Sequence, residues 1–104
     1  MSRVVKLVAL YRHPEDAADF DRRYFDEHLP LARRMPGLRR VEVSRIVGAP
    51  AGEPAYYLMA ELYFDDRAAL DAAMASEEGR AAAKNLMGFA GPLVRFLIAE
   101  VVES

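Results

Sequence analysis

Y-F-D-E-H-L-P-L-A-R-R-M-P-G-L, residues 24–38, decides the fold by where it stops being helical. Proline pushes the residue before it out of the α region, so Leu29 is expected to break or kink a helix just after His28. His28 would then stand at a helix terminus. Upstream, Phe20 and Tyr24 recur at intervals of four, which puts Phe20, Tyr24 and His28 on one inward face. Asp16 can cap this helix, while Asp19, Asp21, Arg22, Arg23 and Asp26 fall mainly on its other side. Leu31 to Met35 adds one further turn, and Pro36-Gly37 stops it and launches a strand.

The flanking segments supply the sheet. Val4 to Arg12, rich in Val, Leu and Tyr, reads as strand one and ends at His13-Pro14, with His13 in a solvated turn. Arg39 to Val47 alternates, placing Val41, Val43, Arg45 and Val47 opposite Arg40, Glu42, Ser44 and Ile46. Two glycines and two prolines make residues 48–54 a hairpin loop. Strand three, Tyr56 to Phe64, sets Leu58, Ala60, Leu62 and Phe64 toward a core and Tyr57, Met59, Glu61 and Tyr63 toward a pocket wall.

Asp65 or Asp66 can cap a short helix bearing Leu70, Ala73 and Met74. Ser76-Glu-Glu-Gly79 divides this helical region, Ala81 to Phe89 continues it, and Gly88, Gly91 and Pro92 end it. Strand four runs from about Val94 to Val102. The order is an α+β, ferredoxin-like βαββαβ pattern with a four-stranded antiparallel sheet, expected as a single domain over residues 1–104.

Helices on one face of such a sheet leave the other uncovered, and that face lacks the polar character of a solvated one. Strand three brings Tyr57, Met59 and Tyr63 to it, and strand four adds either Phe96 with Ile98 or Leu97 with Val101. Surface of this kind marks an interface or a ligand site, and a homodimer packed sheet to sheet would cover it.

Composition narrows the function classes. Fourteen basic and sixteen acidic side chains give a net charge of −2, without the basic patch that nucleic acid requires. No cysteine is present, so disulfides, thiol catalysis and cysteine metal sites are excluded. The apolar run at Val4 to Leu10 is broken by Lys6 and lacks a small-residue cleavage site, so it reads as a strand rather than a signal peptide. No apolar stretch is long enough for a membrane span, and the expected location is cytoplasmic. Two distant histidines argue against a metal site, and there is no glycine-rich phosphate loop or Gly-x-Ser-x-Gly elbow. No cofactor is expected.

Four segments carry a family likeness: K-L-V-A-L-Y-R-H-P at 6–14, F-D-R-R-Y-F-D-E-H-L-P-L at 20–31, M-P-G-L at 35–38 and S-E-E-G-R-A-A-A at 76–83. On these the chain resembles the EthD family of small dimeric α/β-barrel proteins. The resemblance implies a ferredoxin-like protomer whose dimer closes into a barrel, with a cavity on each sheet's open face. Related barrels include cofactor-free oxygenases, muconolactone isomerase-like enzymes, polyketide-tailoring decarboxylases or cyclases, and proteins without established activity. The histidine of E-H-x-P-L falls on His28. Asn85 stands where an acidic residue is common in this pattern, which removes one possible acid.

His28 is therefore the leading candidate for proton transfer, since imidazole titrates near working pH. The structural alternative is that it donates to a backbone carbonyl and fixes the helix end. Glu61 is a second candidate, as a carboxylate desolvated inside an apolar barrel or as half of an ion pair with Arg45 or another basic residue. Tyr11, Tyr24, Tyr57, Met59, Tyr63 and Phe96 are candidate contacts for a small hydrophobic ligand. The leading reading is a cofactor-independent enzyme or tailoring protein acting on a hydrophobic oxygenated molecule, such as an aromatic polyketide or lactone. The alternatives are a non-catalytic barrel that binds such a metabolite, an accessory to an oxygenase system, and a structural dimer whose cavity is filled by its own side chains.

Overall fold

Along β1 (Val5–Arg12) every second side chain, Val5, Leu7, Ala9 and Tyr11, is buried, as the two-residue period of a strand covered on one face requires. The computed structural model describes residues 3–104. Three further strands follow, β2 (Arg40–Arg45), β3 (Tyr56–Phe64) and β4 (Val94–Glu100). They form one antiparallel sheet in the order β2-β3-β1-β4, with β1 and β3 central. This is the α+β ferredoxin-like arrangement.

The helices are α1 (Ala17–Arg23), α2 (Leu29–Ala32), α3 (Arg67–Ala75) and α4 (Glu77–Ala90). They supply the other half of a single apolar core, in which Leu58, Phe64, Leu70 and Leu86 are almost completely buried. Asp16 caps α1 by accepting from the Asp19 amide, and Asp66 rather than Asp65 caps α3 by accepting from Ala69. Between α3 and α4 the chain breaks at Ser76 alone. Its hydroxyl oxygen accepts from the Gly79 amide and starts α4 at Glu77, earlier than expected. Gly79 is needed there because a β-carbon at that position would collide with the Ala73 carbonyl. Gly88 lies inside α4 and does not end it.

The expected break at Leu29 does not occur. Leu29 is helical at φ −58°, ψ −42°, and its amide bonds back to the Tyr24 carbonyl, five residues earlier. Residues Tyr24–His28 form a π-helical turn that joins α1 to α2. Proline in a helix removes one donor and crowds the carbonyl four residues back; a turn bonded at five-residue spacing shifts the ladder and lets the helix pass Pro30. His28 is thus held within a continuous helical segment rather than at a C-terminus. The segment ends with α2, and Pro36-Gly37 makes the tight turn, Gly37 at φ +79° and the Leu38 amide bonded to the Met35 carbonyl.

β2 ends at Arg45 and β4 at Glu100, each two residues short of expectation. The register assigns the faces, because residues opposite one another in antiparallel strands point the same way. Phe96 pairs with Ala9 and so faces the helices, as does Ile98 opposite Leu7. Leu97, opposite Val8, belongs to the uncovered face with Lys6, Leu10, Met59, Glu61 and Tyr63.

Candidate active site

The uncovered face does not carry the histidine. His28 lies on the helix side of the sheet, in a cavity of about 60 Å³ between the sheet and the helices. Leu7, Ala9 and Tyr11 from β1 form its floor; Tyr24 and His28 from the π-turn, with Ala82 and Leu86 from α4, form its roof. Met74 and Phe96, 43% and 41% exposed, stand at its rim.

The π-turn explains how two polar rings enter an apolar interior. A regular helix advances 3.6 residues per turn, so residues four apart drift around the axis; the wider turn brings Tyr24 and His28 more nearly into line. Their ring centroids lie 5.4 Å apart, and Tyr11 meets Tyr24 edge to face at 5.3 Å. Phe89 closes on the far side of His28.

His28, at 7% exposure, is the one buried polar residue among those described. Burial lowers its pKa below the ordinary histidine value, and the Asn85 side chain and Ala82 carbonyl only partly oppose this by favouring the protonated ring. Its Nδ1 has no hydrogen-bond partner, and neither has Asn85 Oδ1. Burial also pushes the Tyr24 phenol up to about 12 and raises Tyr11 further, with the Tyr24 hydroxyl contributing to the Tyr11 shift. Both tyrosines remain neutral hydrogen-bonding groups at ordinary pH.

The depressed histidine has a thermodynamic consequence. An unfolded chain, with His28 near its ordinary value of about 6.5, takes up this proton before the folded protein does. The stability associated with the neutral ring is complete above that value and is lost as pH falls through the folded one. Denaturation midpoints are expected to drop between about pH 7 and pH 5, and to drop less in His28→Gln. Parallel pH profiles for the two proteins would remove His28 as the source.

Of the residues expected to contact a ligand, Tyr11, Tyr24, His28 and Phe96 come together. Glu61, Met59 and Tyr63 lie across the sheet. Glu61 pairs with Lys6 at 2.6 Å, so the ion pair is real and its basic partner is Lys6, not Arg45. Tyr63 lies under the Arg40 guanidinium, 4.3 Å from its ring centre, and its hydroxyl reaches Glu42 at 3.4 Å. Tyr57 departs in another way. Tyr11 pairs with Leu58 but Arg12 pairs with Tyr56, so Tyr57 is the extra residue of a β-bulge. It turns onto Phe20 of α1, donates to Asp21 at 2.8 Å and accepts from Arg45 at 2.6 Å. Its hydroxyl ties the sheet to α1 and is not free for a ligand. His13 makes a 3.0 Å contact to the Pro54 carbonyl at the surface.

Sequence reading noted Asn85 only as a missing acid and did not place it beside His28, and it missed Ala82 and the small residues that leave space in front of the ring. The spacing of Ala82, Asn85 and Leu86 on one side of α4 was the available signal. Among the described residues no three His, Cys, Asp or Glu side chains converge on a possible metal position, and no helix is long and apolar enough to cross a membrane.

Residues 12–92 match the model of the EthD domain. The chain belongs to the EthD family. An EthD family protein from Bacillus halodurans, of known crystal structure, is 50% identical; the match covers 95% of this chain and 99% of that one, with a TM-score of 0.92. An uncharacterised 11.0 kDa protein of Rhodococcus erythropolis, from the thcB-thcC intergenic region, is 33% identical over 95 residues, 91% of this EthD chain and 92% of the relative. Two more distant structures share the fold. A dimeric ferredoxin-like protein of unknown function from a Jannaschia species is 20% identical, covering 94% and 99% of the two chains, with a TM-score of 0.72. A cofactor-independent oxygenase from Streptomyces nogalater is 16% identical, covering 100% and 97%, with a TM-score of 0.68.

Proposed function

We propose that this EthD protein is a cofactor-independent enzyme in which His28, as a neutral base, takes a proton from a small, largely hydrophobic oxygenated molecule. The observation that carries this reading is an almost fully buried imidazole lining an otherwise apolar cavity. Burial favours the neutral ring, the form that accepts a proton. Tyr11 and Tyr24, both protonated, can donate to a substrate oxygen and stabilise the charge left after proton removal.

The size of the cavity narrows the substrate. A cavity of about 150 Å³ accommodates benzene, and this one is about 60 Å³. A ketone, aldehyde or lactone of a few heavy atoms suits it. An aromatic polyketide would place only its reacting end beside His28 and project past Met74 and Phe96. The catalytic role of Glu61 and the ligand contacts of Tyr57, Met59 and Tyr63 form no part of this reading, because those side chains do not line the cavity.

The same reading pairs two chains through the uncovered sheet face. Val8, Leu10, Met59 and Leu97 make its apolar centre, and Leu97 is 47% exposed in the single chain. The dimeric Jannaschia neighbour supports a second copy as the occupant. The cavity lies on the other side of the sheet, so each chain would carry its own site.

Proton abstraction is testable without the natural substrate. In heavy water, simple ketones and lactones bearing acidic C–H bonds should exchange those hydrogens faster with the protein than with buffer, as read by NMR. A non-catalytic binding protein would shift the resonances of Tyr11, Tyr24 and His28 without exchange. Neither exchange nor shifts across such a panel would reject the cavity as the site.

A further inference from the structure

Nδ1 of His28 on the π-turn and Oδ1 of Asn85 on α4 are both buried and, as placed, hydrogen-bonded neither to one another nor to any other group, and the Asn85 side chain lies near enough to the ring to favour its protonated form. One can donate and the other can only accept, so each is what the other lacks. Asn85 also lies at a boundary. His28 and Ala82 line the inner cavity, whereas Asn85 lines a separate groove on the outer side, with Arg23, Glu27, Lys84 and Phe89. Three charged groups, Arg23, Glu27 and Lys84, thus lie beyond Asn85, and on the cavity side the titratable neighbours are Tyr24 and Tyr11, with the Arg33 charge acting on Tyr24.

We propose that Asn85 is the positioning residue of His28: a rotation of its side chain brings the amide oxygen onto the Nδ1 proton, leaving the Nε2 lone pair to take the proton of the substrate. This inference rests on the assignment of His28 as the base. In the step it describes, a substrate C–H bond breaks, its electron pair stays on the substrate, and the proton forms a new bond to Nε2. The ring becomes a cation with Nδ1–H still donated to Asn85. An acceptor at Nδ1 strengthens as the cation forms, so the base is supported during transfer. The Ala82 carbonyl, one turn earlier on α4, is a fixed backbone acceptor that side-chain replacement does not remove.

Asn85 is a better partner than a carboxylate for this task. A buried carboxylate would stabilise the cation in the resting protein and spend the base before substrate arrived. The amide oxygen orients the ring without that permanent charge.

The test is an NMR titration of the His28 ring, with ¹⁵N shifts reporting which nitrogen is protonated. It uses no substrate, so it can fail independently of the catalytic reading. In the parent protein the neutral ring is expected to carry its proton on Nδ1. Asn85→Asp, nearly the same size, should raise the His28 pKa by about one unit or more, a tenfold shift in proton affinity. Asn85→Leu should lower the pKa and weaken the preference for Nδ1–H, and Asn85→Ser serves if the leucine variant does not fold. A parent ring protonated on Nε2, or a titration unchanged in Asn85→Asp, would overturn the proposal. Loss of probe exchange in His28→Gln with an unchanged Asn85→Asp titration would keep the base and remove its positioning residue.

Discussion

His28→Gln is expected to fold like the parent and to lose catalysed exchange of carbonyl probes by about 10²–10⁴-fold, the usual contribution of a positioned general base. Glutamine keeps a polar side chain that can reach Asn85, so the π-turn retains a partner. It has no group able to accept and hold a proton near neutral pH. Binding of the probe, followed through the Tyr11 and Tyr24 resonances, should change much less than exchange, because the apolar walls and both phenols remain. A variant that binds and exchanges as the parent does would end the assignment of His28 as the base. Folding can be checked separately by circular dichroism, and loss of fold would point to a packing role for the ring beside Tyr24 and Phe89.

Met59→Asp is expected to weaken the proposed sheet-to-sheet dimer by at least about a hundredfold, or about 2.7 kcal/mol, as measured by sedimentation. Met59 sits opposite Leu10 on the uncovered face. A carboxylate there costs little in a separate chain, where water reaches it, and much in an apolar interface, where it must be desolvated. The separate chain should stay folded, because the core lies on the other side of the sheet. It should also keep probe exchange, because no cavity-lining residue has changed. An unaltered dimer would place the interface elsewhere.

The architecture was legible because it depends on period and punctuation. Alternation in β3 assigned Leu58, Ala60, Leu62 and Phe64 to the core, and all four are buried. Asp16 and the Asp65-Asp66 pair announced two helix starts through the chemistry of their side chains, and Ser76-Glu-Glu-Gly79 the division between α3 and α4. The chain's membership of the EthD family was legible from its E-H-L-P-L and M-P-G-L segments. The site was harder to read, since a period tells which residues share a face but not which face of the sheet encloses a cavity. Glu61 was grouped with His28 on chemical grounds, and the sheet stands between them. Tyr57 left its expected face because a bulge depends on the partner strand's register, which no single strand displays. The π-turn was misread as a break because Pro30 was judged by its local steric rule, while the surrounding helix had another way to accommodate it.

The π-turn amounts to one surplus residue in a helix, as Tyr57 is the surplus residue of the bulge in the sheet. An added residue turns the downstream part of a helix by about 100°, whereas in a strand it exchanges one face for the other. Helical insertion therefore offers graded changes of aim and strand insertion an all-or-none one. A lineage could acquire or discard the inward histidine through a single-codon event while leaving the sheet, its register and its uncovered face untouched. Within such a family, the length of the segment between Phe20 and Pro30 would be a better guide to shared chemistry than overall identity.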